Sequence, residues 1–222
     1  LADLLTAADR AGDARRELEK LAAAAPTRIG AERRLISLDL QEGDFDAAEK
    51  RLAPLLGERA TAAIALLIGA QIAEQRGDDT RAMQGYRLLL DSALGLTARS
   101  AAARLLLKHG EAKVALELLD DYAEQNPESR VEVGATRAQL LAQAGDLPEA
   151  LKTLDDLEVR YPGHPDIEYQ RATVLETGGR TREALAQFER ALKARPDDPQ
   201  LSNALGFTLA DHGLKLDRAE SL

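Results

Sequence analysis

Cysteine and tryptophan are absent from this 222-residue chain, methionine occurs once, and aromatic residues make up only 3%. Without cysteine there is neither a disulfide framework nor a thiolate metal site, and the redox compartment is left undetermined. With so few aromatics, alanine and leucine must supply the packing, as they do between closely approaching helices. Cations are also in deficit: 29 Lys and Arg stand against 38 Asp and Glu, for a net charge of −9. That balance disfavours long-range attraction to nucleic acid or to anionic membrane surfaces. No stretch approaches the roughly 20 apolar residues that a spanning helix needs, and no basic start followed by an apolar run marks a leader. The chain opens on Leu1 and stops inside a helical pattern, so a fragment of a longer protein is expected.

What is present is 45% hydrophobic and 30% charged residues, enough apolar material for a folded core. Gly12, Gly43, Gly77, Gly110, Gly145, Gly179 and Gly213 each follow a helical pattern, at spacings of 31, 34, 33, 35, 34 and 34. A period near 34 decides the architecture before any single motif. Five residues after the interior glycines stands alanine (Ala48, Ala82, Ala115, Ala150, Ala184), and four further on a large side chain (Leu52, Tyr86, Leu119, Leu154, Phe188). Small hole and large knob thus share one helical face. Proline follows three successive glycines at one fixed offset, at Pro127, Pro162 and Pro196, and ends a helix there.

Seven residues before the glycines come small or apolar residues: Ile36, Ala70, Ala103, Ala138, Ala172 and Gly206. Four before come Leu106, Leu141, Leu175 and Leu209, with Asp39 and Ala73 breaking the pattern. The unit is helix, turn, helix, turn. Pro26 stands 14 after Gly12, so the first repeat reads as about three residues shorter, with its second helix clipped or its loop compressed.

The stretch Arg171-Ala172, Gly179, Ala184, Phe188, Ala191, Pro196 resembles the tetratricopeptide repeat (TPR) closely, without the tryptophan often found early in that family's first helix. The resemblance covers Ile29 to about Leu209 well and Leu1 to Pro26 loosely. It implies an all-α fold, a right-handed α-solenoid of about six and a half helix-turn-helix repeats, in a single domain over 1–222. The repeats fall near 1–28, 29–62, 63–95, 96–130, 131–164, 165–198 and a partial 199–222.

Catalysis would need a nucleophile with its base, a tuned carboxylate pair or a metal, and the pattern offers none, so a non-enzymatic protein without cofactor or metal is expected. His109, His164 and His212 fall at turns of different repeats. The pairs Asp78-Asp79, Asp120-Asp121, Asp155-Asp156 and Asp197-Asp198 recur with the repeat and read as solvated helix caps. No phosphate loop, metalloprotease motif or dinucleotide fingerprint occurs.

In a solenoid the first helices line the concave wall, and partners are held there. In this register the partner-binding candidates are Arg33, Ser37 and Gln41, then Ile64, Leu67 and Gln71, then Ser100, Arg104 and Lys108. Gln139, Tyr169, Thr173, Asn203 and Phe207 complete them. Apolar anchors among amides and guanidinium groups suit a protein or peptide. For any one of them the alternative is an ordinary packing or salt-bridged residue. The Lys and Asn clamp by which some members hold a terminal carboxylate is not reproduced by Arg33-Ser37 or Ser100-Arg104.

A weaker resemblance joins Asn203-Ala204-Leu205-Gly206-Phe207-Thr208-Leu209-Ala210-Asp211 and Asp217-Arg218-Ala219-Glu220 to the closing repeats of proteobacterial TPR lipoproteins. One of these serves as adaptor for a periplasmic carboxyl-terminal processing protease. It implies a bacterial protein of the periplasm or outer membrane whose partner is that protease or its substrates; the cytoplasm is the alternative. Two other readings stay open: the regulatory arm of a larger enzyme, and a self-association module joined through an uncapped C-terminal end.

Overall fold

The computed structural model describes residues 11–24 and 27–213, the side chain of Ala11 apart. The expectations for Pro26, for Asp217–Glu220 and for an uncapped C-terminal end lie outside the described residues. Among those described there are twelve α-helices, one 3-10 turn and no strand. Two compact units divide the chain, residues 1–105 and 106–222.

The first unit holds α1 (Ala11–Ala22), α2 (Arg28–Gln41), α3 (Phe45–Leu56), α4 (Ala62–Gln75), α5 (Asp79–Arg87) and most of α6 (Gly95–Lys108). In the second follow α7 (Ala112–Gln125), a 3-10 turn (Pro127–Ser129), α8 (Arg130–Gln143), α9 (Leu147–Arg160), α10 (Pro165–Thr177), α11 (Thr181–Ala194) and α12 (Pro199–Asp211). First helices of the repeats are α2, α4, α6, α8, α10 and α12; the second helices alternate with them.

The hole-and-knob pattern is the core. Ala48, Ala82, Ala115, Ala150 and Ala184 are all fully buried, and so, to within a few per cent, are Leu52, Tyr86, Leu119, Leu154 and Phe188. Glycine is needed at the turns for a backbone reason. Gly43, Gly77, Gly110, Gly145 and Gly179 all have φ between 76° and 87°, a left-handed conformation that other residues adopt at a cost. It lets the next amide reach back five residues: Asp146 N donates to Leu141 O at 2.9 Å and Arg180 N to Leu175 O at 2.8 Å, closing the last turn of each first helix.

Most second helices end in one of two ways. Before Pro127, Pro162 and Pro196 the residues Asn126, Tyr161 and Arg195 are driven to φ between −128° and −133°, because a following proline excludes the helical conformation. Where α1 and α3 end in the first unit, a threonine closes the turn. Thr61 Oγ1 donates to Leu55 O at 2.6 Å, and Thr27 Oγ1, one repeat earlier, to Leu21 O at 2.6 Å.

Gly12 is not a turn glycine. It is the second residue of α1 and lacks a positive φ. Ala14 and Leu18, one full repeat before Ala48 and Leu52, are buried as hole and knob. The spacing of 31 therefore reflects a misassigned glycine.

Asp39, at a position where most other first helices carry leucine, is 1% exposed. Its carboxylate accepts from Arg15 Nη1 (2.6 Å) and Arg51 Nε (3.0 Å), from the second helices on either side. The acidic pairs also divide in role. Asp78 and Asp198 cap α5 and α12, accepting from Arg81 N and Gln200 N. Asp120 and Asp155 do not cap; they pair with Arg137 and Arg171 of the following first helices at 2.8 and 2.6 Å. Their place in the later turns of α7 and α9 leaves no free amide to cap, and an arginine of the next helix is within reach.

Candidate partner-binding face

On a first helix the inward rows carry the small residues and leucines just described, so the remaining stripe faces away from the second helices. In the first unit this puts Arg33, Ser37, Gln41 and Arg104 in solvent and leaves Ile64, Gln71 and Ser100 half-buried. Leu67 is corrected from anchor to core, at 5% exposure. Helix α4 is apolar over most of its circumference (Ala62-Ala63-Ile64-Ala65-Leu66-Leu67-Ile68), and a leucine on such a helix lowers its free energy by packing under its neighbours.

Arg104 is part of a network. Its Nη2 donates to both oxygens of Glu74, at 3.1 and 3.0 Å, and Glu74 Oε2 also accepts from Tyr86 Oη at 2.5 Å. Burial, then the bond to Glu74, pushes the Tyr86 phenol well above its ordinary value. Ser100 Oγ donates to its own helix at Leu96 O, 2.8 Å, so its remaining capacity is as an acceptor.

In the second unit Lys108, Asn203 and Phe207 are exposed, and Gln139, Tyr169 and Thr173 half-buried. Gln139 Nε2 donates to Thr177 Oγ1 of the next first helix at 3.0 Å, while its Oε1 is screened from solvent without a donor. Thr173 Oγ1 donates to Tyr169 O at 3.2 Å. The Tyr169 ring meets Phe188 at a centroid distance of 5.9 Å and 60° tilt, and packs on the cluster of Ala172, Leu201 and Leu205, so one face of it is core. Phe207 is the most open anchor, at 68% exposure.

Sequence reasoning misses Thr177, together with Gln75, Gln143 and Asp211. All lie two residues before a turn glycine, the register of Gln41 and Lys108, and all are exposed; extending that offset along the array finds them. The histidines of the second unit mark helix ends: His164 caps α10, its Nδ1 accepting from Asp166 N, and His212 Nε2 lies 3.3 Å from Thr181 Oγ1. Among the described residues no three His, Asp or Glu converge as metal ligands. The face offers amides, hydroxyls, a few cations and an open aromatic, which can hold a polypeptide by hydrogen bonds and desolvation.

Comparison with known proteins fits this geometry. A TPR repeat-containing protein of Pseudomonas aeruginosa is 27% identical over 156 residues, 68% of this chain and 26% of that one. Cellulose synthase operon protein C of Salmonella typhimurium is 28% identical over 208 residues, 86% of this chain and 17% of that one. The chain thus spans well under half of either relative. Among solved structures, a tetratricopeptide repeat protein from Parabacteroides merdae matches 98% of the chain and 86% of its own at a TM-score of 0.53 and 18% identity. A thermophilic TPR protein of Thermus thermophilus matches 80% and 96% at 0.50 and 24%. The family model described as Tetratricopeptide repeat matches residues 33–95, 100–165, 135–199 and 169–219, and with most of its length so matched the chain belongs to the tetratricopeptide repeat family.

Proposed function

We propose that this chain is a non-enzymatic adaptor that holds a protein or peptide on the faces that the first helices present within each unit. A tetratricopeptide fold is a protein-interaction scaffold, and the observation that carries the reading is the polar stripe left over when the packing rows are removed. Gln71, Gln139, Thr173, Thr177 and Asn203 present hydrogen-bonding groups that match a main chain, and Phe207 presents a ring that gains by being covered. Arg33, Ser37, Gln41, Ile64, Ser100, Arg104, Lys108 and Tyr169 extend this face along their own units.

For its setting we propose the bacterial envelope, periplasm or outer membrane, with a carboxyl-terminal processing protease or its substrates as partner. The support is the resemblance of Asn203–Asp211 to envelope lipoprotein adaptors. A second reading rests on the likeness over 86% of the chain to a protein named for a cellulose synthase operon: a scaffold serving a polysaccharide-synthesising assembly, as one arm of a longer protein. A pull-down from separated envelope and soluble fractions tests both. A processing protease supports the first, synthase components the second, and exclusively cytoplasmic partners overturn the envelope setting.

A further inference from the structure

In the second unit a cleft of about 570 Å³ opens between the second helices α7 and α9, floored by the first half of α8. It is separate from the stripe carrying Gln139 and Thr173. Val133 and Gly134 of α8 and Leu157 and Tyr161 at the end of α9 give it an apolar patch, of which Val133 and Leu157 are mostly buried and Tyr161 is the more open. Gly134 is what allows it: a Cβ there would come within 2.6 Å of Leu157 Cδ1, so any other residue would push α9 or its leucine away. Four carboxylates stand on the rim: Asp120, Glu124, Glu149 and Asp156.

The charge around the cleft favours a cationic occupant: its lining carries four carboxylates against three arginines, and the segment around it is strongly acidic. Residues 111–164 hold 12 Asp and Glu against 5 Lys and Arg, so seven of the chain's nine net negative charges fall in this quarter of the sequence. Two of the nearby cations are already committed. Arg137 Nη1 donates to both oxygens of Asp120 at 2.9 and 2.8 Å, and Lys152 lies 3.3 Å from Glu149. Glu124 and Asp156, one from each wall, have no ion pair among the described residues. Arg130 and Arg160, the first residue of α8 and the last of α9, also line the cleft and bring donors suited to main-chain carbonyls.

We propose that this cleft docks a basic segment of a protein partner, with lysine or arginine side chains over Glu124 and Asp156 and an intervening apolar side chain on Leu157 and Tyr161. The negative field of the segment steers a cationic chain towards it, and the apolar patch rewards burial that a diffuse acidic surface would not.

The test is fluorescence anisotropy of the whole chain with a labelled hexapeptide of four lysines and two leucines, and with its glutamate counterpart. The lysine peptide should bind, weaken as salt rises, and lose about fivefold or more in affinity with Glu124→Gln/Asp156→Asn. Glu128→Gln/Glu132→Gln removes the same charge from the same repeats outside the cleft and should change affinity less than about twofold. Equal losses from both double variants, no binding of the lysine peptide, or equal binding of the glutamate peptide would overturn the proposal. Since none of these positions lies on the stripe of Gln139 to Phe207, binding of a partner there would survive the cleft variants.

Discussion

Arg15 Nη1 donates to Asp39 Oδ1 across 2.6 Å, locking a carboxylate that is 1% exposed to a guanidinium on the neighbouring helix α1. Arg51 holds the other oxygen at 3.0 Å. Leu141, Leu175 and Leu209 occupy the equivalent places elsewhere, so the first unit replaces an apolar contact with a three-residue ion network.

Removing one member of a buried ion network leaves the rest unsatisfied; only replacing all its members by apolar residues is close to neutral. Asp39→Ala should cost about 2 kcal/mol, discounted because both arginines are a quarter exposed. Asp39→Leu loses the same two ion pairs but refills the space, so it should cost somewhat less than Asp39→Ala. Urea unfolding of the two variants checks the order; an equal loss would mean that the lost charge and not volume decides.

Tyr86 gives the array a basic limit. Its phenol is held neutral in the folded chain above its ordinary value of 10.0, so the unfolded chain deprotonates first. Stability from this group is present below pH 10 and falls as pH rises above it, by about 1.4 kcal/mol per pH unit. Tyr86→Phe should be less stable than wild type at pH 8, through loss of the bond to Glu74, and should flatten the decline above pH 10. Parallel pH profiles of the two proteins would refute this.

Close helix contacts leave no room for growth. Ala150 is fully buried, and a Cβ on Gly85 would lie 2.7 Å from Ala70 Cβ. Ala150→Phe and Gly85→Val should each destabilise by about 1 to 3 kcal/mol. Thermal melts followed by circular dichroism give the answer, and an unchanged midpoint for Ala150→Phe would disprove the packing register.

On the partner face, Phe207→Ala and Gln139→Ala should weaken a captured partner without loss of helicity, because Phe207 is exposed and Gln139 contributes one hydrogen bond. Arg104→Glu is a poorer probe: the new carboxylate would face Glu74, which already accepts from Tyr86, and would lower stability as well. Binding curves beside far-ultraviolet spectra separate the two effects. Unchanged affinity for both alanine variants would remove these side chains from the proposed site.

The sequence by itself determined the repeat, since its determinants are local and periodic: an alanine where helices cross, a knob four residues on, a glycine where φ must be positive, a proline that expels its predecessor from the helix. It also placed most of the first-helix stripe, because an offset from the turn glycine fixes a direction around the helix. Only the tertiary structure decided what depends on distance between helices. Arg137 finds Asp120 17 residues back, Arg15 finds Asp39 24 residues on, and Arg104 finds Glu74 30 residues back. The same holds for Gly12 and Leu67, whose residue types suit a turn and an anchor. Neighbouring helices bury Leu67, and Gly12 lies within α1, where the buried pair Ala14 and Leu18 sets the true register of the first repeat.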